Sequence, residues 1–106
     1  MNSNAPVAIQ TLWLRLAEEI RSHAASRQRD VERGAETPEL AGLLVEKYGM
    51  GIAKAAALAA DVFDVPAPDL TREVDRLVAQ IDPEAKAHRA DRWAQRPAGR
   101  GSSSAS

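Results

Sequence analysis

The sequence predicts an all-α protein, a compact bundle of four to five helices, and three observations carry that expectation. The stretch from Met50 to Val65 (MGIAKAAALAADVFDV) has the apolar density of a buried helix, with Ile52, Ala55, Ala56, Leu58, Ala59, Val62 and Phe63 as its packing residues. Trp13, Trp93, Tyr48 and Phe63 are all the aromatics, so the core must be aliphatic and alanine-rich, which suits helices better than sheets. β-Branched residues never alternate with polar ones over the length of a strand. A chain of 106 residues has room for one modest core. One domain is expected at residues 5–95, between a flexible N-terminus (1–4) and a disordered tail (96–106) that runs into PAGRGSSSAS.

The first helix is expected to start after Asn4, a capping residue, with Pro6 tolerated in the first turn. Ile9, Leu12, Trp13, Leu16, Ile20 and Ala24 recur at spacings of three and four, a one-sided stripe, while Arg15, Glu18, Glu19 and Arg21 point elsewhere. Beyond Ala25 the polar run SRQRDVERG extends the helix toward Arg33, and Gly34 supplies a stop. Thr37-Pro38-Glu39 restarts a helix: threonine caps, proline takes the first position, and the acid sits at the positive end of the dipole. Leu40, Leu43, Leu44 and Tyr48 or Val45 are its expected buried side, and Gly49-Met50-Gly51 its expected end.

The alanine-rich helix then reads as a third, halted near Asp64 by Pro66 and Pro68. Pro68 opens a fourth, spanning 68–81, with Leu70, Val74, Leu77, Val78 and Ile81 at helical spacing. Asp82-Pro83-Glu84 repeats the capping pattern and begins a fifth, whose one large apolar residue is Trp93.

Catalysis finds little support in these residues. With no cysteine, disulfides, thiolate metal sites and cysteine nucleophiles are excluded. His23 and His88 stand alone, without a second histidine or a glutamate at ligand spacing, so no metal or cofactor is expected. Asp61, Asp64, Asp69, Glu73 and Asp75 crowd the Pro66–Pro68 turn, but they alternate with exposed positions and read as a solvated acidic rim. Gly49 and Gly51 lack the lysine and hydroxyl of a phosphate loop. No apolar run approaches the roughly 20 residues of a membrane span, and no signal-peptide pattern opens the chain. The expectation is a cytoplasmic, non-enzymatic protein with no membrane partner.

Two binding functions remain. Net charge is −1 overall, but it divides into +1 over residues 1–33, −5 over 34–83 and +3 over 84–106. The first helix, near 25 residues, is long against the roughly 11–12 of an average helix. Leu14 and Trp13 flank its Leu12–Leu16–Ile20 stripe with apolar area, so Leu12, Trp13, Leu14, Leu16 and Ile20 form the expected partner-binding surface. Trp13 has a second reading, as a lid over the alanine-rich helix. The leading expectation is a regulatory or adaptor module that binds protein, itself included, as a homodimer.

The alternative is a helix-turn-helix transcriptional regulator that binds DNA through helix 68–81 and the basic 86–100 arm. The phrase LTREVDRLV (Leu70–Val78) resembles recognition helices of winged regulators, and that resemblance would put Thr71, Arg72 and Arg76 against DNA; the basic arm, with Lys86, Arg89 and Arg92, would bind phosphates by its own charge. The longer stretch LAADVFDVPAPDLTREVDRLVAQI is similar to the helical half of PqqD-like leader-peptide-binding domains, but the β-portion that precedes it in those domains has no match here, because residues 7–31 read as helix. Asp69, Glu73 and Asp75 beside only two arginines weigh against a DNA-reading surface, which should be basic.

Overall fold

Capping devices written into the sequence set most of the helix boundaries. In the computed structural model, which describes residues 5–95, the helices are α1 (Ala5–Glu32), α2 (Pro38–Phe63), α3 (Leu70–Ile81) and α4 (Ala85–Gln95). No strand occurs among the described residues, and no described helix is long and apolar enough to cross a membrane. The Asn4 cap, the flexible start and the 96–106 tail lie outside the described residues.

α1 ends in a Schellman turn: the Gly34 N–H donates to the Val31 carbonyl and the Ala35 N–H to that of Asp30, at 3.0 and 2.8 Å. Gly34 holds φ +77°, where a side chain would be strained. Thr37 starts α2, its hydroxyl accepting from the Leu40 N–H at 3.2 Å. A second Schellman turn closes α2, with Asp64 in the left-handed position (φ 56°) and the Val65 N–H on the Ala60 carbonyl at 2.9 Å. α3 begins at Leu70 and not at Pro68, because Asp69 is its cap and accepts from the Arg72 N–H.

The expected break at Gly49–Gly51 is absent, and α2 runs unbroken for 26 residues. A glycine inside a helix costs about 1 kcal/mol against alanine, but it neither removes a hydrogen bond nor clashes as proline does. Gly49 has a packing role instead. It is buried against α3, and a Cβ there would lie 2.5 Å from Cγ2 of Val74. Gly42, two turns earlier, faces Val78 and Asp82 in the same way. The chain thus has four described helices, with α2 and α3 antiparallel.

The core gathers Trp13, Ile20 and Ala24 from α1, Ala41, Val45, Ala56 and Ala60 from α2, and all five apolar positions foreseen for α3. Ile20, Val45 and Val74 are sealed completely, and they mark where the three helices meet. The face of α2 is turned from the expected one. Ala41 and Val45 point in, Leu43 and Leu44 are half-buried, and Leu40 and Tyr48 are exposed. Likewise Ala56 and Ala60 are inside, whereas Ala55, Leu58, Val62 and Phe63 are exposed. Once α2 is continuous, the line Gly42–Gly49–Ala56 repeats every seven residues and fixes which side α3 can approach.

Lengths explain what is left open. α1 and α2 extend about 42 and 39 Å, α3 only about 18 Å. Val74 meets Gly49 and Glu73 pairs with Arg21, so α3 covers the middle of the α1–α2 pair. The first turns of α1 and the last turns of α2 extend beyond it.

Gly49→Ala should destabilise the protein despite its better helix propensity, because stiff, fully buried Val74 cannot retreat and overpacking costs about 1–3 kcal/mol. Gly51→Ala, with nothing within 4 Å of the new methyl, should stabilise by about 1 kcal/mol. Urea unfolding of the two variants checks the pair. Shifts of the same sign would contradict the close approach of α3.

Candidate functional site

Where α3 stops short, two helices and the α2–α3 linker enclose an apolar groove of about 480 Å³. Ile9 and Trp13 come from α1, Phe63 from the end of α2, and Val65 and Pro66 from the linker, which the Asp64 turn swings back across the helix pair. Trp13 is 7% exposed and forms the floor. Phe63, at its rim, is 55% exposed; Leu14, Leu58 and Val62 are exposed too but do not line it.

The residues singled out on the first helix therefore separate. Ile20 is fully buried, Trp13 belongs to the core beneath the groove, and Leu16 is half-buried against that core. Leu12 and Leu14 reach the surface on different sides of α1. Phe63, Val65 and Pro66 complete the site, and sequence reasoning had assigned them to packing and to a helix stop. The available signal was a large aromatic directly before a capping turn, at the last position of a helix longer than its neighbour.

The residues proposed for nucleic acid lie on two other surfaces. On α3, Thr71 and Arg72 both reach back to Asp69, the helix cap. Arg76 binds Glu73 through Nη2 at 2.5 Å and through Nε at 3.3 Å, and Arg21 of α1 reaches the same carboxylate at 3.3 Å. The two arginines hold the Glu73 carboxyl below its usual range, against the opposing effect of burial. On α4, Arg89 pairs with Glu46 at 3.3 Å, and Arg92 approaches both Glu46 and Glu39. Lys86 is exposed. The geometry assembles these six residues into no single cationic surface; it places carboxylates beside Arg72, Arg76, Arg89 and Arg92.

Both histidines have structured surroundings. His88 Nδ1 lies 2.6 Å from Oδ2 of Asp82, a buried carboxylate that ends α3 and also accepts the Glu84 N–H at 3.1 Å. That hydrogen bond, with the charge of Asp82, Glu39 and Glu84, raises the pKa of the His88 ring. His23 stacks on Tyr48 with ring centres 4.1 Å apart, and the Tyr48 hydroxyl donates to Glu19 at 3.1 Å. Burial, followed by the charge of Arg27, lowers the pKa of His23. Among the described residues no group of three or more His, Cys, Asp or Glu side chains is arranged to hold a metal ion.

Glu73 yields a pH prediction. Its folded pKa is depressed, so its stabilisation is present above the ordinary carboxylate range and is lost as pH falls through the folded value. Glu73→Gln should cost about 0.2–1 kcal/mol at neutral pH, a figure kept small by solvent screening of a surface cluster. The difference from the wild type should vanish in acid. Thermal unfolding of both proteins across pH checks the sign.

No family model, no curated protein and no solved structure matches the chain.

Proposed function

We propose that the chain is a small non-enzymatic helical module that acts by binding protein, and that its first partner is a second copy of itself. The observation that supports this reading is the apolar groove at the open end of the bundle, lined by Ile9, Trp13, Phe63 and Val65, with Phe63 exposed. A third helix covers the middle of α1 and α2, and a partner's helix laid into the groove would extend that cover. The groove admits a second copy: none of its lining side chains is charged, although Asp61 and Asp64 flank the Phe63 end and must stay solvated at the rim. Trp13 takes the role of a buried floor, and the contact residues of α1 are Ile9 and Gln10. A regulatory or adaptor role follows as the class of function such a surface serves.

The test is solution mass. Light scattering at high micromolar concentration should give twice the 11.4 kDa of the chain, and Phe63→Asp, at an exposed position lining the groove, should return it to a monomer that keeps its helical circular dichroism. A wild-type chain that remains monomeric would sink the homodimer. The competing DNA reading makes the opposite forecast: tight, sequence-selective duplex binding at physiological salt, lost in Arg72→Ala and Arg76→Ala. Those substitutions should leave the dimer intact.

A further inference from the structure

Every helix but one is held by buried apolar side chains. α4 has none: no residue from Ala85 to Gln95 is buried. It lies against the first turns of α2, and cations on α4 meet carboxylates on its neighbours there. His88 contacts Asp82 in the α3–α4 turn, Arg89 contacts Glu46, and Arg92 spans Glu39 and Glu46. Leu43 of α2 and Trp93 of α4 line the shallow groove between the two helices. The helix is long enough to have formed an apolar seam, yet alanines, cations and a single tryptophan make up most of it.

We propose that α4 is a detachable ionic latch on the start of α2, closed when His88 is protonated and salt is low, and released by proton loss from His88 or by added salt. Ion pairs near the surface are screened by electrolyte, so three cations acting together make an attachment that salt weakens, unlike the apolar core beside it. The His88 ring is the titratable member. Asp82 faces its Nδ1 at 2.6 Å; on the Nε2 side stand Glu84 from the approach to α4 at 3.6 Å and Glu39 from the first turn of α2 at 3.9 Å. The Arg92 guanidinium also reaches Glu39 and competes with the ring for it.

Three carboxylates around one imidazole favour the charged ring, so the pKa of His88 lies above its ordinary 6.5. The sign follows. The contribution of the charged ring to docking is complete below the ordinary histidine range and is lost as pH rises through the raised value. Release uncovers the Leu43–Glu46 side of α2 and frees Arg89 and Arg92 from Glu39 and Glu46. These two arginines then become available to an anionic partner.

The chain's two tryptophans provide the readout, since Trp13 is in the core and Trp93 is on the latch. In the full-length protein labelled with 5-fluorotryptophan, the fluorine resonance of Trp93 should titrate with a midpoint above the ordinary histidine value. Added sodium chloride at low pH should move it in the same direction as raising the pH. The Trp13 resonance should stay in place throughout. His88→Gln should abolish the pH response and keep the salt response. Glu39→Gln, at an exposed position, should lower the midpoint by removing one of the carboxylates that favour the charged ring. A Trp93 resonance insensitive to pH in the wild type would overturn the latch, as would one that moves only together with Trp13. The latch sits at the opposite end of α2 from the apolar groove, so its outcome is independent of whether the protein dimerises.

Discussion

Val74 resting on the bare backbone of Gly49 is the contact on which the other packing choices depend. It draws α3 close to α2, and the closeness brings Leu70, Leu77, Val78 and Ile81 into a core whose α2 side is mostly alanine and glycine. Small residues supply little apolar area of their own, so the depth of the core comes from α3 and from Trp13 and Ile20 of α1. The same contact also aligns α3 along the middle of α2. The apolar groove and the weakly held α4 both follow from that alignment, one beyond the start of α3 and the other after its end.

Much of this was legible in the residues. Thr37-Pro38-Glu39, the Gly34 stop, the Pro66–Pro68 barrier and the five apolar positions of α3 all act locally, and each occurs where capping or periodicity puts it. The breakdown at Gly49–Gly51 has a definite cause. A glycine that ends a helix and one that admits a neighbouring helix are identical in sequence, and only the partner, Val74, tells them apart. Splitting α2 there then misplaced its buried face, so Leu40 and Tyr48 were assigned inward and Ala41 was overlooked.

The apolar groove was half legible for a related reason. The apolar stripe of α1 contains Ile9 and Trp13, which line it. The contribution of Phe63, Val65 and Pro66 depends on how far α3 reaches along α1 and α2, which is a tertiary length and not a local pattern. Charge was the least legible layer. Arg89 looks like a free cation in a basic arm, yet it lies beside Glu46 on another helix, and Glu73, one turn before Arg76, also takes Arg21 from α1.

The unequal lengths of the helices also grade the cohesion of the molecule along its axis. In the middle, three helices shield one another's backbone hydrogen bonds, and opening any of them exposes Ile20, Val45 and Val74 together. Toward Phe63 only two helices and a linker share that work, and toward α4 the cover is ionic. Amide protons should therefore exchange on three separate clocks: slowest at the waist, faster over the last turns of α2, and fastest in α4. A binding event at either end would then tighten a region that is already loose, and the waist would hardly register it.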